Sequence, residues 1–319
     1  MQAIGGYFEL ADYEKGVFPH PDGVCLNTGR NALEYILRSL GDIKLVYLPY
    51  YDCEVVLEPL KRLQIPWRLY HIDVHLEIDE TIPLQQGEYI IANNYFGIKD
   101  AYINHLAEQY GDHLIVDCAQ AFFARPIPGI KSFYSPRKFL GVADGGIAYS
   151  WETDGVFVSE RECTKSHDSH LLIRKRHGAE EGFQAYRENE RKLDNQPVRL
   201  MSSATKSILD HIDYEKIVSR RRENYTFLHE ALKKRNLLLL PESESFSCPL
   251  VYPFLTNDSL LRRRMIENKV FVATYWPNVF EWADKNSVEY EMAEKLVPLP
   301  IDQRYSAADM SRILSVLQC

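Results

Sequence analysis

The chain has 319 residues, 45% of them apolar and 12% aromatic, and acids outnumber bases by 45 to 37 for a formal net charge of −8. This composition favours a globular protein of about two domains and excludes extensive disorder. The acidic balance and the shortness of the basic clusters argue against a nucleic-acid partner. No stretch approaches the roughly 18 apolar residues of a membrane span, and the sequence MQAIGGYFEL lacks the pattern of a leader, so we expect a cytoplasmic protein.

Strand-like and helical patterns alternate along the first half of the chain. The strand-like runs are Lys44–Leu48, Trp67–Ile72, Glu88–Tyr95, His113–Cys118 and Gly145–Tyr149. Helical patterns lie between them at Asp52–Gln64 and Ala101–Tyr110. This rhythm predicts an α/β fold with a mainly parallel sheet and helices on both of its faces.

The second half is organised differently. The segment Glu152–Pro197 is polar and is expected to wrap or bridge, and a long helical pattern follows at Met201–Lys234. Further strand-like runs and helical patterns lie at Leu250–Leu255, Leu260–Asn268, Val270–Trp276 and Ala307–Leu317. We therefore predict a large domain over residues 1–200, with the linking helix and a small α/β domain over residues 201–319.

The most informative stretch is SFYSPRKFLGVADGG, which places Lys138 on a short loop between two apolar strands. Asp117 lies shortly before it, at the end of a strand that reads as buried. An amine that forms a Schiff base and a carboxylate that keeps a pyridine nitrogen protonated are both needed by pyridoxal phosphate chemistry. Ligands of open α/β sheets bind at the carboxyl ends of strands, so this pair predicts a pyridoxal phosphate site.

A phosphate site is predicted at the segment LNTGRNALEYILRSL, where Thr28 and Gly29 precede an amphipathic helix. Backbone N–H groups at Gly29, Arg30 and Asn31 would face an anion there, aided by the helix dipole.

The six cysteines contain no CxxC pair and are interpreted as reduced core thiols. Cys163, His167 and His170 come closest to a metal-binding cluster, but they lack a fourth ligand at a suitable spacing, so no metal is predicted.

Together these motifs resemble the DegT/DnrJ/StrS family of sugar aminotransferases, which belongs to the fold type I pyridoxal phosphate enzymes. TGRNAL is similar to the family's phosphate loop, VDCAQAF to its EDxAQA strand end, and SPRKFLGVADGG to its lysine loop. The resemblance covers most of the chain. It implies a mainly parallel, seven-stranded type of sheet in the large domain.

Carried over by position, the resemblance implies that Lys138 binds the cofactor covalently and that Asp117 binds its pyridine nitrogen. It places Gln120 near the phenolic oxygen and assigns the phosphate to Gly29, Arg30 and Ser135. The aromatic residue that covers the ring in the family aligns with Cys53, which leaves Tyr51 or Tyr50 for that role; we assign Tyr51.

Other positions depart from the family pattern. Asn94 stands where the family has a histidine. The asparagine and arginine that a second subunit contributes in the family are represented only by Asn195 and Arg199, which are out of register.

The resemblance implies an aminotransferase that moves an amino group from L-glutamate to a nucleotide-linked keto-deoxy sugar, in the biosynthesis of surface polysaccharides or secondary metabolites. It also implies a homodimer. Arg174, Lys175, Arg176 and His177 lie where they could accept a diphosphate, although a solvated helix face is the alternative. Two other functions stay open: a noncatalytic sugar-nucleotide-binding protein on the same fold, and a pyridoxal phosphate-dependent sugar dehydratase or lyase, against which Lys138 argues.

Overall fold

The computed structural model describes residues 2–12, 15–151, 156–163 and 168–318. Its strands are β1 (Ile4–Gly5), β2 (Val24–Leu26), β3 (Leu45–Pro49), β4 (Trp67–Tyr70), β5 (Glu88–Asn93), β6 (Leu114–Cys118), β7 (Lys131–Tyr134), β8 (Gly146–Tyr149), β9 (Val251–Leu255), β10 (Val270–Phe271) and β11 (Leu296–Pro300). Its α-helices are α1 (Gly29–Ser39), α2 (Leu57–Arg62), α3 (Asp100–Tyr110), α4 (Ser169–His177), α5 (Phe183–Arg191), α6 (Ser203–Leu209), α7 (Tyr214–Leu232), α8 (Leu261–Glu267), α9 (Val279–Trp282), α10 (Val288–Lys295) and α11 (Ala307–Gln318).

Among the described residues, the largest sheet has seven strands in the order β2-β8-β7-β6-β5-β3-β4. Every pairing from β7 to β4 is parallel, whereas β8 is antiparallel to both β7 and β2. The predicted mainly parallel sheet of seven strands is therefore confirmed, with β8 as its reversed strand.

Alternating side chains of the central strands pack into two hydrophobic clusters, one on each face of the sheet. In β6, Ile115 packs in the cluster that α1 and α2 cover, whereas Leu114 and Val116 belong to the larger cluster on the opposite face. Successive side chains of a strand point to opposite faces, so a strand covered on both sides must be apolar throughout. The apolar runs Ile90–Ala92 in β5 and Leu114–Val116 in β6 follow from this burial.

The long helix predicted over Met201–Lys234 is wrong, because the chain forms two helices, α6 and α7, with a break between them. Asp213 ends the break by accepting a hydrogen bond from Lys216 N at 3.0 Å, which caps the start of α7. The hydroxyl of Tyr214 donates to Leu209 O at 2.6 Å and holds the two helices at their corner.

The strand predicted over Val270–Trp276 is also shorter in the structure. Its regular part, β10, pairs in parallel with the two residues of β1, and the pairing ends where β1 ends. A second small sheet pairs β9 with β11 in antiparallel fashion. The N-terminal strand β1 thus pairs with a strand from residues 201–319, and the larger hydrophobic cluster runs across the boundary that we predict at residue 200.

Candidate cofactor site and adjoining cavity

A cavity of about 190 Å³ opens at the carboxyl edge of the seven-stranded sheet. Its walls come from the segments that follow β2, β3, β5, β6 and β7. Because parallel strands end at the same edge, residues far apart in sequence meet here, as expected for ligand sites in open α/β sheets. Of the residues predicted for the site, the cavity is lined by Gly29, Arg30, Asp117, Gln120, Ser135 and Lys138.

Lys138 ends a 3₁₀ turn that spans Pro136–Lys138, directly after β7. Its side chain is exposed and borders both this cavity and a larger neighbouring one. Among the described residues, no carboxylate lies within ion-pair distance of its Nζ atom. A lysine held on a rigid turn, open to two cavities and without a carboxylate partner, is available for chemistry.

Asp117 is the penultimate residue of strand β6, where it is half-buried at the cavity wall. Its Oδ1 accepts a hydrogen bond from Ala119 N at 2.7 Å. Burial raises the pKa of the Asp117 carboxyl to about 6, although the Ala119 N–H and the charge of Lys138 oppose this increase. The predicted pairing of Asp117 with Lys138 at one cavity is thus present in the structure.

A second acid, Asp52, lines the same cavity and was missed by the sequence reasoning. It is 2% exposed, and its Oδ1 accepts a hydrogen bond from Cys53 N at 2.6 Å. Burial raises the pKa of Asp52 well above its usual range, and the negative charge of Asp117 raises it further. Its position shortly after β3, at the same edge of the sheet as Asp117, was the available signal.

The N-terminus of α1 forms another wall. Thr28 is the N-cap, and its Oγ1 accepts a hydrogen bond from Asn31 N at 3.1 Å, so this N–H is not available to a ligand as we predicted. A Cβ atom at Gly29 would lie 3.4 Å from the Cβ of Ser135, which shows that Ser135 faces the helix start. The amides of Gly29 and Arg30 and the hydroxyl of Ser135 therefore meet at one end of the cavity.

The side chain of Arg30 forms ion pairs with two carboxylates. Its Nη1 atom lies 2.7 Å from a carboxylate oxygen of Glu58 and 2.9 Å from one of Asp194. A role for Arg30 in anion binding is accordingly limited to its backbone N–H. The guanidinium instead ties α1 to α2 and to the segment after α5.

Gln120 and Asn94 are both buried at the cavity wall. Gln120 Oε1 accepts a hydrogen bond from Phe96 N at 2.9 Å, while its Nε2 is buried without a partner. Asn94 donates to Asp100 Oδ1 at 2.6 Å and accepts from Lys99 N at 3.0 Å. Asn94 thus organises the start of α3, whereas the Gln120 amide retains an unused donor at the cavity.

The structure does not bring Tyr51 into the cavity wall. Tyr51 is fully buried and packs edge-on against Trp276, with ring centroids 5.1 Å apart. Trp276 itself lines the cavity together with Cys53, and Asn278 Nδ2 donates to Asp52 O at 2.8 Å, which holds the Trp276 loop against this segment. The aromatic residue of the wall therefore comes from the second half of the chain, whereas Tyr51, which we predict to cover the cofactor ring, lies behind Trp276.

The larger cavity, of about 720 Å³, shares Arg137, Lys138 and Glu190 with the smaller one. Arg137 and Glu190 form an ion pair, and this pair lowers the pKa of Glu190 although burial alone would raise it. Two other arginines, Arg174 and Arg221, line the larger cavity.

Each of these two arginines has one buried guanidinium nitrogen without a hydrogen-bond partner, Nη1 in Arg174 and Nη2 in Arg221. Arg174 forms an ion pair with Glu9 at 3.0 Å. Arg221 is fully buried, donates to Gln303 Oε1 and Leu250 O, and has no carboxylate within 4 Å among the described residues.

Other predicted residues lie away from these cavities. Lys175 pairs with Asp12, Arg176 and His177 are exposed, and Arg199 lies 3.4 Å from Glu160 and from Glu162. Arg174 alone of the predicted basic cluster lines the larger cavity. Asn195 is exposed, at positive φ.

The predicted ligand cluster around Cys163 is only partly described, because His167 lies outside the described residues. His170 packs against the rings of Tyr7 and Tyr186, and Cys163 is exposed, so Cys163 is not the core thiol that we predicted. In the described part of the chain, no group of three or more potential ligands could hold a metal ion. No described helix is both long enough and apolar enough to cross a membrane.

No protein-family model matches the sequence, and no curated protein matches it. Solved structures do match. Spr1654 from Streptococcus pneumoniae, in its PLP form, is 15% identical with a TM-score of 0.65 over 98% of this chain and 92% of its own. The sugar aminotransferase CalS13 from Micromonospora echinospora is 14% identical, with a TM-score of 0.60 over 93% of this chain and 86% of its own. A DegT/DnrJ/EryC1/StrS aminotransferase from Brucella abortus is 14% identical, with a TM-score of 0.60 over 93% of this chain and 85% of its own.

The chain has the fold of these aminotransferases. The predicted α/β fold class, with its large central sheet, is confirmed. Spr1654 has also been solved in a PMP form, and the matching structure of DesI was obtained in the presence of its TDP-sugar product. At identities of 13 to 15%, these likenesses concern the fold.

Proposed function

We propose that this protein is a pyridoxal phosphate-dependent aminotransferase of the DegT/DnrJ/StrS type, acting on a nucleotide-linked keto sugar with L-glutamate as amino donor. The observation that carries this proposal is the shared cavity of Lys138, Asp117 and the N-terminus of α1 at the carboxyl edge of the sheet. The PLP and PMP forms of Spr1654 and the TDP-sugar product of DesI support the choice of cofactor and of sugar class.

The donors and acceptors of the small cavity fit the cofactor. The ligand would need a carboxylate for its ring nitrogen, a donor for its phenolic oxygen and N–H or O–H groups for its phosphate. Asp117 and the unused Nε2 donor of Gln120 supply the first two. The backbone N–H groups of Gly29 and Arg30 and the hydroxyl of Ser135 supply the third.

Pyridoxal phosphate, when bound, supplies the electron sink that stabilises charge on a substrate carbon. Lys138 would attach the cofactor and, once released by the incoming amine, would move a proton as general base and then general acid. Its place at the junction of both cavities gives its amine access to cofactor and substrate. Asp117 would hold its negative charge against the ring nitrogen, since a cationic partner lowers the pKa of a buried carboxyl.

The larger cavity is proposed as the substrate site. A carboxylate or diphosphate entering it would meet unpartnered N–H groups of Arg174 and Arg221, and a buried guanidinium gains most from a charged acceptor. Because Arg221 has no described carboxylate partner, we assign the carboxylate of the amino donor to Arg221.

The homodimer remains part of this proposal and rests on the family resemblance. Sedimentation velocity at micromolar concentration tests it. A monomer that retains activity would contradict it.

The test of the function is the visible absorption spectrum of the protein with pyridoxal phosphate, before and after addition of L-glutamate. The expected result is a yellow band that bleaches with glutamate. Borohydride, added without glutamate, should abolish the band by reducing the Schiff base and leave the cofactor attached to Lys138 by a stable amine bond. No band in the unsubstituted protein would contradict the proposal. Product formation from nucleotide-linked keto sugars then identifies the acceptor.

A further inference from the structure

Two carboxylic acids lie at the wall of the small cavity, and the proposed chemistry uses only one of them. Asp117 lies on β6, and Asp52 follows β3. Strand β5 lies between these strands, and its last residue, Asn93, is the register partner of Asp117. Asp52, Asn93 and Asp117 therefore form a polar row across the carboxyl ends of three neighbouring strands, and all three line the cavity.

No described cation acts on Asp52. The groups that face it are the Asp117 carboxyl, the backbone N–H and thiol of Cys53, the Asn93 amide and the phenols of Tyr70 and Tyr95. The charge of Lys138 acts on Asp117 and on Cys53. Two neighbouring carboxyl groups, of which only Asp117 has a nearby cation, do not both ionise readily, because their charges repel and Asp52 is shielded from solvent.

Two side-chain oxygens in this row lack hydrogen-bond partners. Asp52 Oδ2 and Asn93 Oδ1 are both buried and both lack a partner. The Asn93 side chain and the Cys53 N–H lower the pKa of Asp52, yet Asp52 Oδ2 keeps no hydrogen-bond partner within the described residues. A proton on Asp52 Oδ2 removes a buried negative charge that lacks a cation, and a neutral carboxyl costs less to bury than an ionised one.

We propose that Asp52 holds a proton at neutral pH, so that Asp52 and Asp117 together present one negative charge to the ring nitrogen of the cofactor. Asp52 is then a positioning residue, which keeps the ionised form on Asp117. The part of this proposal that concerns the cofactor rests on the proposed function, whereas the proton on Asp52 is a property of the protein without cofactor. The directions of the two pKa shifts agree with this division, because the pKa of Asp117 rises only to about 6.

Infrared difference spectroscopy of the full chain without cofactor tests the proton. At neutral pH we expect the carbonyl band of a protonated carboxylic acid, shifted by deuterium exchange, to be present in the unsubstituted protein and lost in Asp52→Asn. In Asp117→Asn the band should persist but disappear at a lower pH, because removing the Asp117 charge lowers the pKa of Asp52. A spectrum that Asp52→Asn leaves unchanged overturns the proposal, and so does an unshifted titration of the band in Asp117→Asn.

The pH dependence of unfolding is a second measurement. A carboxyl whose pKa is raised in the folded state stabilises that state fully at low pH, and this contribution falls as the pH rises toward the folded pKa. The unfolding equilibrium constant of the unsubstituted protein should therefore rise relative to that of Asp52→Asn by about tenfold per pH unit above about pH 4. The rise should continue beyond pH 6, where the contribution of Asp117 has ended. Parallel curves for the two proteins would show that Asp52 is ionised as usual and would overturn the proposal.

Measurement of pyridoxal phosphate binding distinguishes a failure of this inference from a failure of the proposed function. Asn resembles a protonated Asp in shape and charge, so Asp52→Asn should bind pyridoxal phosphate within about threefold of the unsubstituted protein, while Asp117→Asn should lose tenfold or more. Equal losses in both variants would mean that Asp52 supplies charge, against the proposal. Failure of the unsubstituted protein to bind pyridoxal phosphate would contradict the proposed function and leave the infrared result to decide the proton.

Discussion

The two cavities that meet at Lys138 are built in different ways. The small one is lined mainly by residues that follow five strands of one sheet, so its chemistry is carried by short motifs at strand ends. The large one is lined by residues from β1, the α4–α5 region, α7 and β10, which meet only in the folded chain. In this protein, the proposed cofactor chemistry is readable from local sequence, whereas substrate recognition depends on tertiary structure.

Lys138→Ala removes the amine that lies between the two cavities and is expected to lower activity most. Transamination should fall by at least about a thousandfold, since both covalent attachment and proton transfer depend on this amine. Mass spectrometry after borohydride reduction should show no cofactor on the variant. Lys206→Ala, which removes a half-exposed lysine paired with Asp210 outside both cavities, is the control and should keep full labelling. Labelling that survives in Lys138→Ala would move the attachment site elsewhere.

Asp117→Ala should act on the small cavity alone. We expect cofactor to remain bound at high concentration, with transamination lower by about a hundredfold or more, because the ring nitrogen loses the carboxylate that keeps it protonated. Activity within tenfold of the unsubstituted enzyme would remove Asp117 from this role. Nitrogen-15 NMR of labelled cofactor measures the protonation directly.

Arg221→Gln should act on the large cavity alone. Loss of a charged hydrogen bond to the donor carboxylate should raise the KM for L-glutamate by about tenfold to a hundredfold while leaving the cofactor band unchanged. The matched control is Arg222→Gln, since Arg222 lies on the same helix and also donates to backbone carbonyls, of Phe246 and Ser247, but borders neither cavity. Equal changes in KM for both variants would indicate a structural effect of α7 instead.

Arg30→Gln should have the smallest effect on function. It breaks the ion pairs with Glu58 and Asp194, which costs about 2 kcal/mol of stability after allowance for partial exposure. Cofactor affinity should change by less than about threefold, because the backbone N–H remains. Arg30→Pro removes that N–H in the first turn, where proline is tolerated, and should weaken cofactor binding by about tenfold. Equal affinities of the two variants would exclude the backbone contact.

Sequence patterns predicted the parts of the site that are fixed locally. Lys138, Asp117 and Gly29 each follow or end a strand or begin a helix, and the sheet then brings them together. Asp52 was missed because a single acid after a strand usually reads as a solvated turn. Its burial depends on the Trp276 loop, more than two hundred residues away, which is held by the Asn278 bond to Asp52 O.

The errors in the fold have the same origin. Apolar spacing continues from α6 into α7, so the break at Asp213 shows only in its capping contact. The length of β10 depends on β1, a two-residue partner that no local pattern predicts. Tyr51 and Trp276 are both aromatic and both buried, and only the tertiary arrangement decides which of them borders the cavity.

The pairing of β1 with β10 also bears on how the protein can be engineered. Gly5, Gly6, Tyr7 and Phe8 form part of the wall of the large cavity, and Arg174 and Tyr305 hold this segment through Gly5. Randomising Tyr7 and Phe8 in a library would therefore reshape the surroundings of the proposed substrate while leaving the sheet edge that carries Lys138 and Asp117 untouched. Gly5 must be kept, because a Cβ atom there would lie 2.3 Å from Phe271 O. For altering acceptor preference, the start of the chain is a better target than the cofactor motifs.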